Sequence, residues 1–265
     1  YKQRKKVHYN SETLTPVQSA IIKDELFSFG SHKLFEKNKF IVFRISGRDL
    51  PYTLMELGRL REISFRQAGE GTNKAIDVDK YDCNYEHVII WDKQKDKIVG
   101  ATRIVLCEKI IKLHGTDFLY TSSLYNYSSE FMDVLMNSME VGRTFISKEY
   151  QRSPFPLFSI WKAVLIIAFQ SNVDYVLGVV SMNQAYCKFS KQLINQLLKE
   201  FYLNKPLSNL VKAKKQWRQK GSYFFDNLSN SLNNNLVEWD NIIYDLENCN
   251  QSIPVLIKKY IQLNA

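Results

Sequence analysis

The sequence is poor in the features that mark several common protein classes. Its cysteines, Cys83, Cys107, Cys187 and Cys249, lie far apart, with no CxxC pair and no Cys/His spacing of the zinc-site type. They read as reduced thiols, not as a disulfide framework. The longest apolar run, Ala163 to Phe169, is far below the roughly 20 residues that cross a bilayer. No secretory leader is visible, but the chain starts at Tyr1, so that absence decides nothing. No internal repeat is present. DVDKYD, residues 77–82, superficially resembles a calcium loop. It lacks the glycine at the sixth position and the glutamate at the twelfth, and no metal site is expected.

What is present suits a folded, basic protein. Hydrophobic residues make up 45% of the 265, enough for a packed core and against global disorder. The net charge of +9 favours acidic partners: nucleic acid, anionic lipid or an acidic protein. The basic stretch 212–220 holds a single Trp and no recognisable nucleic-acid motif, so nucleic acid is not the expected partner.

Hydrophobic periodicity orders the chain. Val17, Ile21, Ile22 and Leu26 predict a short docking helix after a polar, basic start. KFIVFRI (39–45) predicts a strand. A helix with Thr53 as its cap follows, carrying Leu54, Leu57, Leu60 and Ser64, and ends near Gly69. EHVIIWD and IVGATRIVL predict a hairpin turning at KQKDK, and MEVGRTFIS (139–147) a further strand. Residues 110–131 remain ambiguous. A strongly apolar helix is expected over 154–170, a buried strand over 173–182, and a helix from Asn183 to Phe201. Helical periodicity returns over 236–265. Hairpin-joined strands beside a strand–helix–strand unit predict an α/β (α+β) fold, a mixed sheet flanked by helices. The division expected is 1–38 as linker and docking helix, 39–202 as core, and 203–265 as a basic, helical extension.

Charged residues in apolar settings are the candidates for chemistry. Arg61 and Phe65 share a helix face. Taken alone, Arg61 reads as a snorkelling surface residue and Phe65 as core. Asp77, Asp79 and Asp82 crowd a loop just before a buried strand, which taken alone is a solvated turn. Gly100 inside VGATR signals a bulge or a close backbone approach, and Arg103 follows it. Glu140 and Arg143 sit on an otherwise apolar strand, a costly arrangement unless they are paired or used. Ser153 and Pro154 suit a helix start, and such starts attract phosphate.

Taken in order, LRxxxFR, DxDxYDxxxxHxxxWD, IVGxxR and ExGR, with YQR downstream, form a specific set. Over about residues 40–200 it resembles the GNAT-like N-acyltransferases that use acyl carrier protein. These are the ornithine-lipid and glycine-lipid enzymes called hemolysin-like; the acyl-homoserine-lactone synthases share a sparser version. Val141 stands where that family usually has Leu. The resemblance implies a mostly antiparallel GNAT-like sheet with two splayed parallel strands, here 139–147 and 173–182. It also implies a chain that stops short of a further strand, and an upstream glycerolipid acyltransferase domain in some members.

The activity implied is transfer of a (3-hydroxy)fatty acyl group from an acyl carrier protein thioester to the α-amine of ornithine or glycine. The alternatives are a homoserine-lactone or N-acyl amino acid signal synthase, and an inactive module that docks carrier protein or membrane. Arg61, Phe65, Asp77, Asp79 and Asp82 would form the substrate pocket. Glu140 would be the base, with Arg103 and Arg143 beside it. Arg152, Ser153, Phe155, Phe158 and Trp161 would meet the pantetheine arm and acyl chain. QRSPFP has no glycine, and its two prolines remove N–H donors, which disfavours the pyrophosphate wrap of a coenzyme A enzyme. The expected donor is therefore acyl-phosphopantetheine, with no resident cofactor. The partners are an acidic carrier protein, steered by Lys148, Arg152 and the 212–220 patch, and an amino acid. The location expected is cytoplasmic, with peripheral contact to the anionic inner membrane face. The amino acid, the acyl length and the oligomeric state are not encoded in any pattern found.

Overall fold

The computed structural model describes residues 11–215 and 232–262. Contacts divide the described residues into two compact units: 11–123 with 129–179, and 124–128 with 180–215 and 232–262.

The first unit is built on a sheet. Among the described residues its strands are β1 (Lys33–Lys37), β2 (Phe40–Ser46), β3 (Glu86–Asp92), β4 (Lys97–Leu106), β6 (Ser138–Ile146) and β7 (Tyr175–Leu177). They lie in the order β1-β2-β3-β4-β6-β7. Every neighbouring pair is antiparallel except β6 and β7. Helices α1 (Ser19–Ser28) and α2 (Pro51–Gln67) serve one face, and α5 (Phe155–Gln170) the other. The shorter α3 (Cys107–His114) and α4 (Met132–Met136) lie between β4 and β6.

Covering both faces explains why EHVIIWD does not alternate polar with apolar. Ile89 and Trp91 join Phe43, Ile45, Leu54, Leu57 and Ala101 on the α2 side. Val88 and Ile90 join Val42, Val99, Val141, Ile160 and Val164 on the α5 side. Successive residues of a strand point to opposite faces, so each residue of β3 meets a different helix layer.

Several expectations need correction. Thr53 does not cap α2. Glu25 of α1 does so: its carboxylate accepts from Tyr52 N (3.1 Å) and Thr53 N (2.6 Å). An acid at a helix N-terminus satisfies donors left over by the helix and suits its dipole. The buried strand over 173–182 is only Tyr175–Leu177, and Tyr175 and Val176 are exposed. It is an edge strand with a partner on one side, and that partner continues without it. The helix from Asn183 begins at Lys188, where Cys187 Sγ accepts from Ser190 N. Strand β1 was not anticipated.

The second unit holds β5 (Tyr125–Tyr127), paired with β8 (Val211–Ala213). It also holds α6 (Lys188–Phe201), α7 (Lys205–Asn209), α8 (Leu236–Leu246) and α9 (Val255–Gln262). Leu193, Ile194, Leu197, Trp239, Ile243 and Ile257 pack together as its core. Of the basic stretch 212–220, residues 216–220 lie outside the described residues; Lys212, Lys214 and Lys215 are exposed. No helix among the described residues is long and apolar enough to cross a membrane.

Candidate active site

The α2 face of the sheet changes character along its strands. At one end it is apolar, with Ile89, Trp91, Ala101 and Phe145. Further along the strands it carries His87 and Arg103, each two residues on from Ile89 and Ala101, and Glu140, five residues from Phe145 across the bulge of β6. His87 and Arg103 are direct cross-strand partners, and Glu140 stands opposite Val105. Arg61 of α2 and the acidic loop 77–82 close over them.

Two glycines let that loop lie so close. A Cβ on Gly47 would stand 2.0 Å from the carbonyl oxygen of Asp82, and one on Gly58 would stand 2.5 Å from Val78. Asp77 N donates to Gly58 O at 3.0 Å, which ties the loop to α2. Glu62, one residue from Arg61, accepts from Thr72 N, Thr72 Oγ1 and Asn73 N and secures the loop's start.

The charges interlock. Arg61 Nη1 donates to Asp82 Oδ1 at 2.6 Å, with both side chains sealed from solvent. Arg61 is therefore no snorkelling surface residue. Its Nη2 lies 3.1 Å from His87 Nδ1, and His87 Nε2 lies 2.9 Å from Asp82 O. The pattern fits a neutral ring protonated on Nε2, accepting from Arg61 and donating to the loop carbonyl. Burial, then the charge of Arg61, pushes His87 down to about 3. Burial works against the Asp82 carboxylate, but Arg61 and Arg103 hold it well below the usual range.

Arg103 donates to Asp79 Oδ1 (2.6 Å) and pairs with Asp82 Oδ1 (3.0 Å). Its guanidinium lies over the rings of Tyr81, Tyr85 and Tyr120, at 5.6, 5.1 and 5.4 Å from their centres. Burial opposes its charge, and the bond to Asp79 and the charges of Asp82 and Asp79 more than offset that. Arg143 reaches Asp77 (3.1 Å) and Asp79 (3.3 Å) and lies over Tyr120 at 5.0 Å. Burial pushes the Asp77 carboxyl above its ordinary range, against the pull of Arg143 and Arg61.

Glu140 is buried and held entirely by neutral donors. Tyr85 OH donates to Oε1 at 2.5 Å, and Tyr120 N at 3.0 Å. Thr121 N (2.9 Å) and Thr121 Oγ1 (2.5 Å) donate to Oε2.

Glu140 also marks where two strands part. Strand β6 pairs in parallel with β7 only over Ser138, Met139 and Glu140; beyond Leu177 the pairing ends while β6 runs on to Ile146. Just past that point β6 bulges against β4, with Arg143 at φ +53. A Cβ on Gly142 would meet nothing within 4 Å, so the backbone there faces open space. On β4, Gly100 comes within reach of Phe145 O: a Cβ there would stand 2.6 Å from it.

The structure thus brings together Arg61, Asp77, Asp79, Asp82, Arg103, Glu140 and Arg143. Phe65 packs at the edge of the α2-side core. Arg152, Ser153, Phe155, Phe158 and Trp161 stand apart from the cluster, at the start of α5 against the other face. Arg152 is exposed, and Ser153 Oγ accepts from Phe155 N (3.3 Å). Phe155 stacks on Phe40, Trp161 packs on the α5-side core, and Phe158 is largely exposed. Sequence reading missed Tyr85, Tyr120 and Thr121. His87 stood in the DxDxYDxxxxHxxxWD pattern but was given no role; the hairpin register sets it opposite Arg103. No group of His, Cys, Asp and Glu among the described residues is arranged to hold a metal ion.

Residues 60–161 match the family model for the acetyltransferase (GNAT) domain. That span contains the charged lattice and the strand that parts from β7. Over residues 60–161 the chain carries a GNAT-type domain. It is similar to the glycine N(alpha)-acyltransferase of Phocaeicola vulgatus, 30% identical over 206 residues, covering 73% of this chain and 63% of the relative. It is likewise 30% identical to the glycine N(alpha)-acyltransferase of Bacteroides thetaiotaomicron, over 72% of this chain and 60% of the relative. The chain thus spans under two thirds of the length of each. No solved structure matches it significantly. The mixed sheet, antiparallel but for the β6–β7 pair, is as the sequence resemblance implied.

Proposed function

We propose that this domain is an N-acyltransferase that moves a fatty acyl group from a phosphopantetheine thioester to the α-amine of an amino acid, glycine first among them. The observation that carries the reading is the placement of the charged lattice. It stands where β6 leaves β7, next to the open backbone at Gly142. The similarity to two glycine N-acyltransferases supports glycine as acceptor.

The reaction needs a slot for an extended thioester, a donor for the oxyanion, a seat for the acceptor and a sink for its proton. In our reading the thioester arm lies in the gap beyond Glu140 and Leu177. The bulge at Gly142 and Arg143 turns a backbone N–H out of the ladder, and that group holds the oxyanion. Glu140 already accepts from Tyr85, Tyr120 and Thr121, so we assign it the task of fixing residues 120–121 at the gap. The donor is acyl carrier protein. Exposed Lys148 and Arg152, in the β6–α5 connection, and the net charge of +9 suit an acidic partner. The product, an N-acyl amino acid, is a precursor of aminolipids, and its chain would bring the protein to a membrane surface.

The direct test is incubation with 3-hydroxyacyl carrier protein and a pool of amino acids, read by mass spectrometry. One new acylated amino acid is the expected result. A product only with coenzyme A thioesters would overturn the donor. No product with either thioester, from folded protein, would leave a docking module.

A further inference from the structure

The carboxylates of the lattice are unequally occupied. Asp82 is bound by Arg61 and by Asp79 N, and Asp79 by Arg103 and Tyr81 N. Glu140 is saturated as described. Asp77 differs. Its Oδ2 is buried and has no hydrogen-bond partner, although Arg143 Nε stands 3.1 Å away. Arg143 Nε has none either. The two atoms face each other in a contact too poorly angled to be a hydrogen bond. The arginines are equally unequal. The side chains of Arg61 and Arg103 are 0% and 1% exposed, that of Arg143 22%. Arg143 is the cation of the lattice that a solute can reach, and it adjoins the open backbone at Gly142.

We propose that the acceptor amino acid binds by replacing this contact with its own zwitterion, carboxylate on Arg143 and ammonium on Asp77, and that Asp77 then takes the ammonium proton. The inference rests on the N-acyltransferase reading and names the two residues that select the substrate. An α-amino acid carries opposite charges about as far apart as one ion pair spans, so the exchange conserves charge. Both orphaned atoms gain a partner, and a buried polar atom without one is costly.

The proton balance follows. One N–H bond of the ammonium breaks and its proton passes to Asp77 Oδ2. The freed pair attacks the thioester carbon, and the C–N bond forms. The C–S bond breaks, and the thiolate leaves with the second proton from nitrogen. Asp77 returns its proton to solvent. Drawing Arg143 toward the substrate weakens the pull that opposes burial at Asp77, which makes Asp77 a better acceptor as the amine arrives. The other charges facing it are Arg61 of α2, Arg103 of β4 and Asp82 of its own loop; none changes partner in this step.

The test uses acyl carrier protein thioester with glycine, and with glycinamide, which keeps the amine and lacks the carboxylate. The wild-type protein should favour glycine by roughly 100-fold or more in kcat/KM. Arg143→Gln should erase that preference, mainly through KM for glycine. Asp77→Asn should lower kcat about 100-fold. Its kcat should also climb about tenfold per pH unit where the wild-type profile has levelled off. Glycinamide used as well as glycine by the wild-type protein would overturn the inference and leave N-acyl transfer standing. So would an unchanged kcat and pH profile in folded Asp77→Asn. Acylation of neither amine, nor of any amino acid, would overturn both readings. The glycine–glycinamide comparison needs no variant to fold.

Discussion

The two ends of the lattice use the same residue types and do different work. At the inner end Arg61, Asp82 and His87 are sealed and bonded to one another, with only Arg61 Nε left without a partner among them. At the outer end Arg143 and Asp79 reach solvent, and Arg143 meets Asp77 without a hydrogen bond. Charges buried in water-free surroundings tolerate no loose fit, because an unpaired one costs several kcal/mol. Charges at the surface have water as a fallback and can exchange partners. The inner end is therefore a staple for the acidic loop, and the outer end is where a substrate can compete. One cluster of three Arg and three Asp contains a structural half and a working half.

The comparison breaks most readily at the staple. Asp82→Ala should cost about 3–5 kcal/mol, because Arg61 stays buried with its charge uncompensated. Denaturant unfolding reads this directly; a loss below 1 kcal/mol would mean the loop is held elsewhere. Gly47→Ala should cost about 1–3 kcal/mol without touching any charge. Its new Cβ would stand 2.0 Å from the Asp82 carbonyl and would push the loop off the sheet. Activity should fall with stability in both variants.

This division was only partly legible in the sequence. The elements that carry the site follow from periodicity: the hairpin β3–β4, the helix α2 and the strand β6 stand within a few residues of expectation. Glu140 and Arg143 announced themselves as costly residues on an apolar strand, whereas Arg61 and the aspartates, each taken alone, read as a surface residue and a solvated turn. Glu140 between Met139 and Val141 is the clearest case. Tyr85, Tyr120 and Thr121 did not, since two of them serve Glu140 through backbone N–H groups whose aim depends on the path of the loop. The brevity of β7 was equally hidden. Its apolar residues read as a core strand, and only the departure of β6 leaves them on an edge. Burial ranks Arg61 against Arg143, and no sequence pattern reports burial at that resolution.

The staple should also show in the pH dependence of stability. The folded His87 ring is pushed down to about 3, below the roughly 6.5 of an unfolded histidine. The unfolded state thus binds the extra proton first. This contribution is complete above about pH 6.5 and is lost as pH falls toward 3, at up to about 1.4 kcal/mol per pH unit. Asp82, also depressed, adds its loss only below about pH 3.9. Asp77, raised, runs the other way and gains stability as pH falls through its folded value. His87→Gln keeps a donor and an acceptor but cannot titrate. Unfolding free energies from pH 7 to 4.5 should therefore lose about one proton's worth of slope in that variant. An unchanged slope would place the titration elsewhere.

The smallest stability effect belongs to the outer end, and it is the one that sharpens the contrast. Arg143→Gln removes contacts at 3.1 and 3.3 Å that are partly open to water. Such pairs contribute about 0–1 kcal/mol. The residue also sits at φ +53, where any side chain with a Cβ is strained, so the substitution adds no backbone penalty that was not there. Unfolding should move by no more than about 1 kcal/mol while acyl transfer to glycine collapses. A variant that keeps its fold and loses its substrate would separate the two halves. A variant that unfolds like Asp82→Ala would merge them, and the lattice would then be one staple from end to end.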